Sequence, residues 1–90
     1  PFIGWPEVKI RYFAWMKRTV GVAEEEVIPP EGTDTVGDLV VWLRSRSTGH
    51  AEALAEGAAF GAAVDQRTAT FDVRLAGARE VAFFPPFTGG

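Results

Sequence analysis

Two diproline pairs, Pro29-Pro30 and Pro85-Pro86, each stand directly after a short run of strand-forming residues. Proline lacks a backbone N–H and fixes φ, so neither strand can continue in a sheet past its pair. Between these stops lies one strong helical segment, in which Val36, Leu39, Val40 and Leu43 recur at helical spacing. Thr35 stands as its N-cap, and Asp38 three residues on completes a capping box. The chain must therefore combine short strands with a central helix.

The other elements follow from alternation and turn residues. Val8 to Phe13 reads as a first strand, with Val8, Ile10 and Tyr12 on one side and Lys9, Arg11 and Phe13 on the other. Met16 to Ala23, which contains Gly21, reads as a hairpin loop leading to a return strand from Glu24 to Ile28. Ala51 to Glu56 is a short alanine-rich helical turn ended by Gly57. Phe60 to Val64 is a strand, Asp65-Gln66-Arg67 a turn, and Thr68 to Phe71 the way out of it. Glu80 to Phe84 is the last strand. Trp42 lies beside the main helix's apolar stripe and is expected to flank the core edge.

This order makes an α+β domain. Its first and last strands can lie parallel at the sheet centre if the helix crosses over between two hairpins, the wiring of the ubiquitin-like β-grasp, although composition alone does not force that topology. Residues 1–7, PFIGWPE, have two prolines and a glycine interrupting any period and read as an irregular extension. The domain body is expected over 8–84 and a flexible tail over 85–90.

Ninety residues with 47% hydrophobic content support a single core. Twelve acidic against nine basic residues give a net charge of −3, which argues against a nucleic-acid partner. Arg44 and Arg46 read as favourable charges near a helix C-terminus. No run approaches the roughly 20 apolar residues of a membrane span, and the start lacks a secretory pattern, so no membrane association and a cytoplasmic location are expected.

Side chains offer little chemistry. With no cysteine the chain has no thiolate nucleophile and no thiolate metal ligand. His50, the single histidine, has no convergent ligands nearby in sequence and reads as a surface or capping residue. Glu24-Glu25-Glu26 reads as a charged sheet edge that discourages aggregation. Ser45 and Ser47 lack a sequence-adjacent base, and no glycine-rich phosphate cradle occurs. No metal and no bound cofactor are expected.

What remains is the C-terminus. Pro85-Pro86 halts the last strand, so Phe87-Thr88-Gly89-Gly90 should project as an extended tail. Two terminal glycines remove every side chain next to the carboxylate, which could then enter a channel too narrow for a Cβ.

The segment Glu80 to Gly90, EVAFFPPFTGG, closely resembles the tail of the molybdopterin synthase small subunit family. Val8 to Ala14, Thr35-Val36 with Leu39 and Leu43, and Ala62-Ala63-Val64-Asp65 resemble its first strand, helix and penultimate hairpin, so the similarity spans all but about the first seven residues. The sequence departs from the family at Asp65, usually asparagine, at Ala76-Gly77-Ala78, often an Asp-Gly turn, and at Phe87, usually a smaller aliphatic. Thr68 occupies a docking position that is often apolar.

The resemblance implies a ubiquitin-like β-grasp with a mixed sheet packed against one main helix. It also implies a sulfur carrier that is not an enzyme by itself. An E1-like adenylyltransferase would use ATP to activate Gly90 beside Gly89, and a sulfur donor enzyme would convert the end to a C-terminal 1-thioglycine. The tail would deliver sulfur to cyclic pyranopterin monophosphate in the large subunit of a heterotetramer. Phe13, Phe84, Pro85, Pro86, Phe87 and Thr88 would contact partners. Alternative recipients are thiamine or cysteine synthesis. A ubiquitin-like modifier and an interaction module with an inert tail are further alternatives.

Overall fold

The computed structural model describes residues 7–86. In chain order the elements are β1 (Val8–Tyr12), α1 (Trp15–Val20), β2 (Glu24–Val27), α2 (Val36–Arg44), α3 (Thr48–Ala53), β3 (Gly61–Val64), β4 (Arg67–Ala69) and β5 (Glu80–Phe84). They form one five-stranded sheet of order β2-β1-β5-β3-β4. β1 and β5 run parallel at its centre, with Ile10 opposite Val81 and Tyr12 opposite Phe83, and every other pairing is antiparallel. A parallel pair needs a long crossover, and the chain between β2 and β3 carries α2 and α3 across one face to supply it.

Strand alternation decides which side chains meet those helices. Val8, Ile10 and Tyr12 of β1, Ala62 of β3, and Val81 and Phe83 of β5 are buried on the inner face. Against them stand Val36, Leu39, Val40 and Leu43 of α2, with Met16, Ala53 and Leu54 closing the core. Each of the four α2 residues is at most 2% exposed, and burying such a side chain contributes on the order of 1.5–3 kcal/mol. The α2 cap is as expected: the Asp38 N–H donates to Thr35 Oγ1 at 3.1 Å, and Asp38 Oδ2 accepts from the Thr35 N–H at 3.2 Å. Trp42 packs half-buried at the core edge.

Several local expectations are corrected. Met16–Val20, expected within the Met16 to Ala23 loop, belongs to the helix Trp15–Val20, whose Gly21, at φ 105°, serves as a left-handed C-cap instead of a hairpin glycine. Six residues are too short for periodicity to reveal; the helix is held by Met16 in the core and by packing against α3. The second helical piece begins three residues earlier than expected, because Ser47 caps it by accepting the His50 N–H at 3.1 Å. Strand β1 ends at Tyr12, β2 at Val27 and β4 at Ala69, while β3 starts at Gly61. Asp65 and Gln66 alone form the β3–β4 turn, both with positive φ. Asp65 Oδ1 accepts the N–H groups of Arg79 and Glu80, so an acceptor oxygen, whether from aspartate or asparagine, meets the need there.

Candidate functional site

Because β1 and β5 run parallel, they end side by side, and Pro85-Pro86 leaves the sheet at that end. Phe83 and Phe84 are adjacent in sequence yet face opposite ways. Phe83 is fully buried, its ring 6.1 Å from Tyr12 and 5.9 Å from Phe60. Phe84 is half-buried on the outer face, across the ladder from Gly61. Phe13 follows β1, its N–H donating to the Phe83 carbonyl at 3.1 Å, and is 40% exposed. The Arg11 guanidinium lies 5.1 Å from the Phe13 ring centroid and 3.7 and 3.9 Å from carboxylate oxygens of Glu24 and Glu80. The outer face thus carries a charged strip over β2 and β1 and an aromatic end beside the chain exit.

Of the sequence-predicted site residues, Phe13, Phe84, Pro85 and Pro86 are brought to this end; Phe87, Thr88, Gly89 and Gly90 lie outside the described residues, as do residues 1–6 of the N-terminal extension. Thr68 is exposed on β4, opposite Ala63 of β3. A groove of about 510 Å³ lies at the other end of the sheet, lined by Val8, Pro29, Leu75 and Arg79 among others. It is remote from the chain exit.

One cluster escaped the sequence. Glu25 pairs with Ile10 and therefore points inward, whereas Glu24 and Glu26 stay exposed on edge strand β2. The edge reading holds for those two and fails for Glu25. Its Oε2 accepts from the Tyr12 hydroxyl and from His50 Nε2, both at 2.7 Å, and Arg46 stands 3.7 Å from Oε1. Burial alone would raise the Glu25 pKa, but the hydrogen bonds from His50 and Tyr12 and the charges of His50 and Arg46 outweigh it and hold the carboxyl below its ordinary range. Burial first, then the hydrogen bond and charge of Glu25, push the Tyr12 phenol well above its usual value.

His50 is accordingly a buried residue, 7% exposed, and not a surface one. A carboxylate only accepts, so Nε2 carries a proton; Nδ1 stands 2.7 Å from the Ser47 hydroxyl, accepting from it in the neutral ring and donating to it in the charged one. Ser47 has a base after all, but its oxygen is also the N-cap acceptor of α3. The set fastens α3 to the edge strand. Arg46 serves this cluster and lies 5.0 Å from the Trp42 ring, while Arg44 Nε donates to the Leu54 carbonyl at 2.6 Å; neither is a bare dipole charge. The available signal was the inward register of Glu25, which needs the strand pairing to read. Among the described residues no three metal-ligating side chains converge.

The mixed sheet with its parallel central pair, crossed by one main helix and releasing its chain beside β1, defines a ubiquitin-like β-grasp domain. Solved structures share it. A putative molybdopterin converting factor subunit 1 from Pyrococcus furiosus has a TM-score of 0.70 at 30% identity, covering 90% of this chain and 98% of its own. The small archaeal modifier protein 1 of Haloferax volcanii has a TM-score of 0.63 at 19% identity, covering 90% and 98%, a likeness of fold alone. The chain belongs to the ThiS family, whose profile matches residues 10–90. It is also 39% identical over 83 residues to the molybdopterin synthase sulfur carrier subunit of Escherichia coli K12, covering 92% of this chain and 99% of that protein.

Proposed function

We propose that this protein is the sulfur-carrier small subunit of molybdopterin synthase, acting in molybdenum cofactor biosynthesis through its Gly90 carboxylate. The observation that carries the reading is the near full-length, 39% identity to a sulfur carrier subunit of that synthase. The fold supports it, because β5 delivers Pro85-Pro86 at an end flanked by exposed aromatic surface.

In the proposed cycle a Gly90 carboxylate oxygen attacks the α-phosphate of ATP on an E1-like partner, forming the acyl adenylate and releasing pyrophosphate. A sulfur donor enzyme then supplies sulfur to the acyl carbon, AMP leaves, and a terminal thiocarboxylate results. The thiocarboxylate sulfur bonds to cyclic pyranopterin monophosphate in the large subunit, and water then cleaves the acyl–sulfur bond, leaving the sulfur on the pterin and restoring the Gly90 carboxylate. This chain supplies the reactant, and the large subunit supplies the acid, base and cationic groups. Phe13 and Phe84 anchor docking, and the Phe87-Thr88-Gly89-Gly90 tail threads into the partner's pocket. The assembly is a cytoplasmic heterotetramer, with residues 8–84 as its folded carrier body and 85–90 as the reacting tail.

Intact mass spectrometry after incubation with the E1-like partner, ATP and a sulfur donor tests the chemistry. A gain of about 16 mass units, confined to the chain that retains Gly90, is the expected result of replacing oxygen by sulfur. No gain with an active partner would refute the carrier cycle, and Gly90-dependent isopeptide conjugates in extract would then favour a protein modifier.

A further inference from the structure

Gly61 opens β3 on the outer face and sits directly opposite Phe84 in the antiparallel ladder. Its φ is outside the left-handed region, so the backbone conformation does not require glycine. The Phe84 ring does. A Cβ at position 61 would stand 2.6 Å from Phe84 Cε1, 3.1 Å from Cζ and 3.3 Å from Cδ1, where carbons in contact normally keep about 3.5–4.0 Å. The ring therefore lies across the Gly61 Cα and occupies the volume that any side chain there would take. Glycine in a strand loses conformational entropy and packs nothing of its own, and here the aromatic ring fills that gap from the neighbouring strand.

Resting on the docking role proposed above for Phe84, we infer that Gly61 is a positioning residue: it seats the Phe84 ring across β3 in the pose that the molybdopterin synthase large subunit receives. The contacting atoms are one edge of a ring that can turn about its own torsions, so an added methyl group lifts the ring without breaking the ladder. Phe84 is the last residue of β5 before Pro85-Pro86, so a lifted ring alters the surface next to the tail exit while leaving the inward-facing Phe83 in the core. Shape complementarity at a buried aromatic anchor is where interfaces concentrate their affinity.

The test is a cycle of variants titrated against the large subunit from the same organism. Gly61→Ala is expected to weaken binding about tenfold, as displacement of an anchor does, with no loss of thermal stability. In sulfur transfer it raises the KM for the carrier with a much smaller change in kcat. Phe84→Leu removes the ring, so Gly61→Ala in that background is expected to cost no further affinity. Equal losses from Gly61→Ala in both backgrounds, or wild-type binding by Gly61→Ala alone, would overturn the seat while leaving docking through Phe84 intact. Wild-type binding by Phe84→Ala would instead remove the docking reading, and the role of Gly61 with it. If Gly61→Ala lowers the melting temperature, the ring resonances of Phe84 in the free domain decide: unshifted resonances refute the seat, and displaced ones support it.

Discussion

Replacing Glu25 by alanine removes the one acceptor shared by two buried donors, the Tyr12 hydroxyl and His50 Nε2–H, each 2.7 Å from Oε2. Tyr12 is 2% and His50 7% exposed, so neither donor regains bulk water freely. A buried donor left without a partner costs about 1–3 kcal/mol, which bounds the two together at about 2–6 kcal/mol. The Glu25 side chain is itself 18% exposed, and water entering the vacated space recovers part of this. The expected loss is about 2–3 kcal/mol, and at about 4–8 °C per kcal/mol for a domain of this size the melting temperature falls by roughly 10–20 °C. Calorimetry or thermal circular dichroism reads it directly. A second arm isolates the cause: Tyr12→Phe alone loses one hydrogen bond, but in the Glu25→Ala background it removes an orphaned donor, so the double variant is less destabilised than the two single losses summed. A loss below about 0.5 kcal/mol, or strict additivity, would refute the buried network as a stabilising unit.

Other outcomes follow from the same contacts. Because the folded-state pKa of Glu25 is lowered, its contribution is present above the ordinary glutamate range near ~4.3 and is lost as pH falls through the folded value; acid melting curves are expected to be steeper for wild type than for Glu25→Gln. Tyr12 has the opposite sign. Its raised pKa gives a contribution that is full below about pH 10 and lost as pH rises further, so the alkaline loss of stability is expected to shrink in Tyr12→Phe, and an unchanged alkaline profile would contradict this. At Gly49 an added Cβ would overlap the Thr19 carbonyl and stand 3.1 and 3.2 Å from Val20 backbone atoms, so Gly49→Ala is expected to force α1 off α3 at a cost of about 1–3 kcal/mol in urea unfolding.

Features written in neighbouring residues were legible in the sequence. The capping box from Thr35 to Asp38, the four-residue apolar stripe of α2 and the stop imposed on β5 by Pro85-Pro86 depend on contacts within a turn or two, and each lies where the pattern placed it. The parallel approach of β1 and β5 is one that the element order permits without forcing, and the resemblance to the β-grasp family pointed to it. The tertiary structure alone decided the rest. Glu25 and His50 are 25 positions apart, and nothing in a run of three glutamates tells which one the ladder turns inward. The helix Trp15–Val20 is too short to be encoded by periodicity, and it exists because Met16 finds the core and α3 offers the bare backbone of Gly49. Phe84 could have belonged to core or surface; strand phase turns it outward, and the cross-strand register sets it on Gly61. Local hydrogen bonding and backbone sterics act within the reach of the sequence pattern, whereas burial and pairing depend on which distant residues the folded chain brings together.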